Sequence, residues 1–233
     1  MIIAIIYAII AGLSDLLGGW IAYKTKIAKI MPRYIIGFAA GILITVTFVD
    51  ILPEVALKSQ AHIVLLGFIA FYVIEKLVML HACGEDECNV HKIGGITVFG
   101  MALDNVIDGV GIAVGYAVNP MLGLLITVGV VVHEIPQGIA SLVIMKQAKY
   151  STKKTFGVIG LAGLLYPIGA LLAAFIPQDL YLVILAFVAG EFIYIGASDL
   201  LPEAHKKFNI KVIASVLAGV GFILLLLSIF PKI

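Results

Sequence analysis

Asp50-Ile51-Leu52-Pro53-Glu54 closes an apolar run near residues 34–54, and Asp199-Leu200-Leu201-Pro202-Glu203 closes another near 181–203. Four of the five positions are identical, at an offset of 149. One apolar run earlier, Ala11-Gly12-Leu13-Ser14-Asp15-Leu16-Leu17-Gly18 is matched by Ala162-Gly163-Leu164-Leu165-Tyr166-Pro167-Ile168-Gly169, at an offset of 151. Leu-Pro-Glu alone is a common way to leave a membrane helix. Two adjacent segments repeating in order, at nearly constant spacing, instead indicate an internal repeat.

The runs that carry these motifs are membrane spans. Of 233 residues, 62% are hydrophobic and 12% charged, against about 45–50% and about 25% in soluble domains. At about 20 apolar residues per span, the chain divides near 2–23, 34–54, 61–80, 95–117, 121–145, 155–176, 181–203 and 211–230. Eight α-helices are expected, because a lipid-exposed backbone must satisfy its own hydrogen bonds. Connections are short and show no shift in composition, so 1–233 reads as a single transmembrane domain. The first span lacks a basic leader region and carries Ser14 and Asp15, which reads as a retained helix rather than a cleaved signal.

Related spans are separated by an odd number of crossings, so spans 1–3 and 6–8 are expected to be inverted repeats around a central 4/5 pair. The basic residues give the orientation. All Lys and Arg except Lys58 and Lys232 fall in or beside alternate connections, which the positive-inside rule makes cytoplasmic, with both termini outside. Cys83 and Cys88 then sit in a reducing compartment and are thiols rather than a disulfide.

The fourth span holds Asp104-Asn105-Val106-Ile107-Asp108-Gly109, and the fifth holds His133-Glu134-Ile135-Pro136-Gln137-Gly138. Each ionised group at the bilayer centre costs on the order of 2.5–3.5 kcal/mol, and no Lys or Arg lies inside these apolar runs to compensate. A bound cation is the expected counter-charge. Residues i and i+4 share a helix face, so Asp104 with Asp108, and His133 with Gln137, form one pair of ledges. Asn105 with Asp108, and Glu134 with Gln137, form a second. Two such ledges offer oxygen and nitrogen ligands for one or two divalent ions. Pro136 releases the Val132 carbonyl as a further oxygen, while Gly109, Gly111 and Gly138 are expected to bring the two helices close.

These motifs resemble the H-N-x-x-[DE]-G and H-E-x-P-[HE]-[EG] patterns of the ZIP family of divalent metal transporters, along nearly the whole chain. The resemblance implies a binuclear or single metal site on helices 4 and 5, with Asn105, Asp108, Gly109, His133, Glu134, Pro136 and Gly138 at matching positions. Asp104 stands where the family usually has histidine, and Gln137 where it often has histidine or glutamate. Tyr166 stands where many members carry a glutamate that completes the second metal position. Replacing imidazole by carboxylate hardens the site and shifts it toward manganese or ferrous iron relative to zinc.

The expected function is therefore transport of divalent transition metals toward the cytoplasm, zinc first, then iron, manganese or cadmium. The metal is cargo rather than cofactor. Asp15, Asp50, Glu191, Asp199 and Tyr166 are candidates for the ion pathway. The 81–93 loop brings together His81, Cys83, Cys88 and His91, a set suited to capturing metal on the cytoplasmic side. The expected partners are metal ions and the lipid bilayer, with a homodimer left open, no nucleic acid, and the cell membrane as location. The chain does not read as an enzyme: an H-E-x-x-H protease motif would need a second histidine at 137, which is Gln137. A proton- or sodium-coupled transporter of another ion, or a metal exporter, remains the alternative.

Overall fold

The computed structural model describes residues 1–25, 32–83, 95–206 and 209–230, and among them no strand occurs. We number the helices α1 (Ile2–Lys24), α2 (32–54), α3 (Leu57–Cys83), α4 (Gly95–Val118), α5 (Pro120–Gln147), α6 (Thr152–Phe175), α7 (Gln178–Ala204) and α8 (Ile210–Ile229). All but α4 are long and apolar enough to cross a membrane over their described residues. With 24 residues, α4 is about 36 Å long at 1.5 Å per residue, more than the ~30 Å hydrocarbon layer requires.

Helix α3 continues to Cys83, so His81 and Cys83 stand on its last turn rather than in the loop that the sequence suggested. Residues 84–94, including Cys88 and His91, lie outside the described residues.

Proline sets the irregularities. Pro167 cannot donate to the Gly163 carbonyl, and α6 breaks at Leu164. Ahead of Pro53 and Pro202 the α-helix widens into π-helical turns at Thr47–Ile51 and Tyr194–Leu200. Both turns end on the same bond, from Leu52 N–H to the Thr47 carbonyl and from Leu201 N–H to the Gly196 carbonyl. The two Leu-Pro-Glu motifs thus share their backbone geometry as well as their sequence. By contrast, α5 runs unbroken through Pro136.

The helices pair closely as α1 with α5, α4 with α6, α2 with α8 and α3 with α7. Small residues permit this, since helix association in lipid rests on close packing. A Cβ on Gly41 would lie 2.2 Å from the Val216 carbonyl oxygen, and one on Gly219 would lie 2.3 Å from that of Phe38. The α3/α7 crossing uses the corresponding positions: a Cβ on Gly190 would lie 2.0 Å from the Val64 carbonyl oxygen, and one on Gly67 would lie 2.2 Å from that of Phe187. From α2 to α7 the offset is that of the Leu-Pro-Glu motif, and from α3 to α8 it is again constant. These two crossings are therefore the same packing, made once between α2 and α8 and once between α3 and α7.

Helices α2, α5 and α7 are half or more buried over their apolar windows, whereas α3 and α8 are largely exposed. Ile6, Ile9, Leu13 and Trp20 of α1 and Leu217, Leu224 and Leu225 of α8 are among the exposed apolar side chains. So much outward apolar surface suits lipid rather than water.

Candidate metal centre

Asp104 and Asp108 lie one turn apart on α4, and His133 and Glu134 are adjacent on α5. Their donor atoms all fall within 4.8 Å of one another, and all four side chains are buried. The imidazole decides how the group works. His133 Nδ1 lies 3.1 Å from the Gly129 carbonyl oxygen; a carbonyl only accepts, so Nδ1 carries the hydrogen. In the neutral ring Nε2 is then a lone pair. It points at Glu134 Oε1 at 3.0 Å and Asp108 Oδ2 at 3.5 Å. With the ring neutral, three electron-pair donors converge there, and either a proton on Nε2 or a bound cation supplies the positive charge between them. A ring N–H on a backbone carbonyl is also the usual outer support of a metal-ligating histidine.

The oxygens of Asp108 and Glu134 accept no hydrogen bond among the described residues. A buried carboxylate in that condition is costly unless a cation compensates it.

The remaining sequence candidates divide. Gln137 and Asp104 are neighbours, and Glu191 of α7 faces Asp104 from across the helix group. Asn105 is turned aside: its amide donates to the Ala162 carbonyl at 3.0 Å, and its Oδ1 accepts from the Tyr166 hydroxyl at 3.1 Å. Tyr166 is fully buried next to Glu134 and Asp108. Asp15 of α1 is fully buried, with Glu134, Asp104 and His133 as its charged neighbours. Glu191 and Asp15, read from sequence only as pathway acids, therefore border the centre itself.

Asp50 is buried in the π-helical turn of α2. Asp199 is exposed at the matching turn of α7, among Glu75, Glu203 and Lys76. Tyr194 of that turn donates its hydroxyl hydrogen to Glu75. Between α2 and α5 runs a cavity of about 280 Å³ whose lining includes Ile35, Ile36, Pro136 and Glu203.

The site glycines act otherwise than expected. Gly109 brings α4 against the Tyr166 carbonyl of α6, Gly138 brings α5 against the Asp15 carbonyl of α1, and Gly111 packs on Val188 of α7. The α4/α5 pair is instead closed by Gly115 and Gly123, the latter against the Tyr116 backbone.

The sequence pattern of the ZIP zinc transporter family matches residues 81–227, more than half of the chain. This chain belongs to the ZIP family. Among its relatives, the zinc transporter ZupT of Corynebacterium aurimucosum is 27% identical over 95% of each chain. ZupT of Chlorobium limicola is 27% identical over 94% of each. The zinc transporter foi of Drosophila melanogaster is 31% identical over 58% of this chain and 20% of its own length. As a ZIP protein with membrane-spanning helices throughout its length, the chain is a multi-pass membrane protein.

Proposed function

We propose that this ZIP protein carries divalent transition-metal ions across the membrane toward the cytoplasm, through a mid-membrane site built from Asp104, Asp108, His133 and Glu134 with Gln137 alongside. The observation that carries this reading is His133 Nε2, set against the carboxylates of Asp108 and Glu134, whose oxygens accept no hydrogen bond among the described residues. Transport needs only binding and release, and this site offers ligands without requiring a nucleophile. The names of the relatives support zinc as cargo. Asp104 and Glu191 add hard oxygens, which favours manganese or ferrous iron beside it.

The matched crossings of α2/α8 and α3/α7, and the two π-helical turns, support helices 1–3 and 6–8 as inverted repeats around the 4/5 pair in one membrane domain. With basic residues inside, both termini face outward and the cavity beside Pro136 is the cytoplasmic way out, in a protein of the cell membrane. The test is metal uptake into proteoliposomes of defined orientation under a set pH gradient. Saturable entry of zinc or manganese that depends on the protein is expected. Vesicles no leakier than protein-free controls to zinc, manganese, iron and cadmium would refute the proposal.

A further inference from the structure

Two helix crossings flank the metal centre, and they are built alike. On one side α6 meets α4: Gly169 abuts the Val106 carbonyl and Gly109 abuts the Tyr166 carbonyl. On the other α1 meets α5: Gly18 abuts the Ile135 carbonyl and Gly138 abuts the Asp15 carbonyl. In both crossings each glycine follows, three residues on, the carbonyl that receives the partner's glycine. Residues 15 and 18 of α1 thus play the parts of 166 and 169 of α6, at the offset already present in the sequence repeat. Asp15 stands where Tyr166 stands.

Both side chains are fully buried, but their circumstances differ. Tyr166 satisfies its hydroxyl on Asn105. Neither carboxylate oxygen of Asp15 has a hydrogen-bond partner among the described residues, and its charged neighbours include two further acids, Glu134 and Asp104. Of its neighbours His133 alone can carry positive charge, and that ring is already turned to Glu134 and Asp108. The approach is specific, because a Cβ on Gly138 would lie 2.0 Å from the Asp15 carbonyl oxygen and 2.8 Å from its Oδ1. A buried acid without a donor, set beside two others, calls for a cation.

We propose that Asp15 is a metal-holding carboxylate, contributed by α1 as the counterpart of Tyr166, which takes a hard divalent cation jointly with Glu134. The inference rests on the transport-site reading above and extends it to a helix outside the α4/α5 motifs. It also makes the acid transferable: a carboxylate moved to position 166 reaches the same ion from the other flank.

The test is Mn²⁺ binding to the purified full-length protein in detergent, followed by the paramagnetic resonance of free Mn²⁺. Variants are Asp15→Asn, Asp15→Glu, Asp15→Asn with Tyr166→Asp, and Asp108→Ala, each passed through size exclusion first. Asp15→Asn should weaken binding at least about tenfold, a scale on which even outer-shell partners of a metal act. Asp15→Glu should hold near the wild-type value, and the double variant should regain most of the loss. Asp15→Asn binding as wild type overturns the proposal, and so does an equal loss in Asp15→Glu, which would make the residue a packing element only. If the wild type binds no Mn²⁺ and no zinc, the transport-site reading falls as well.

Discussion

Gly12 and Gly163 meet backbone to backbone: a Cβ on Gly12 would lie 2.1 Å from the Gly163 carbonyl oxygen, and one on Gly163 would lie 2.7 Å from that of Gly12. Neither side can yield by turning a side chain. Gly12→Ala should therefore cost at or above the usual ~1–3 kcal/mol of overpacking. Gly157→Ala, where nothing lies within 4 Å, should be neutral or gain up to about 1 kcal/mol from helix propensity. Thermal unfolding in detergent compares the two, and equal melting temperatures would refute the close-crossing argument.

In the proposed site Asp108 is the central ligand, since its carboxylate faces His133 and shares a helix face with Asp104. Asp108→Ala should abolish transport of zinc, cadmium, manganese and iron while the protein stays monodisperse. Wild-type flux of any of the four by this variant would show that the site is misplaced.

Asp104 and Gln137 should set the choice of metal. Asp104→His exchanges a hard oxygen for imidazole and should move preference from manganese or ferrous iron toward zinc and cadmium. Gln137→Glu adds charge and should tighten binding of every divalent ion, slowing release. Competition of each metal against a fixed zinc tracer reads both effects. An unchanged ranking across wild type and both variants would mean that neither position touches the ion.

Orientation can be read by labelling. Lys58 lies near the start of α3, in one of the connections poor in basic residues. A cysteine placed beside it should react with an impermeant thiol reagent applied to intact cells, whereas one placed beside Lys153 should not. The reverse pattern would invert the proposed topology.

Eight helices were legible because lipid imposes one length and one composition, and their limits in the structure fall within a few residues of the apolar runs. The shared face of Asp104 and Asp108 was legible for a similar reason, since i and i+4 stand one turn apart. What sequence could not give is the partner of each face. Helical periodicity says that Gly109 and Gly138 lie on a narrow edge, but not that α6 and α1 fill it. Asn105 looked like a ligand by position, yet the break at Leu164 exposes the Ala162 carbonyl to its amide and draws it toward α6. Glu191 and Asp15 were visible as buried acids, but their distance along the chain from α4 and α5 hid their place beside the centre. The constant offset linking Asp15 to Tyr166 was the available clue.

The close pairings nest about α5: α4 with α6, α3 with α7, α2 with α8. During synthesis α2 leaves the ribosome early, yet Gly37 and Gly41 are fitted to residues 212–220 of α8, made much later. Until then that narrow face has no mate and must be held by the translocon, a chaperone or lipid. Assembly is consequently a closing of parentheses rather than a stepwise addition. A chain cut before α8 would lose the outermost pair rather than one peripheral helix, and quality control would meet it with α2 still uncovered.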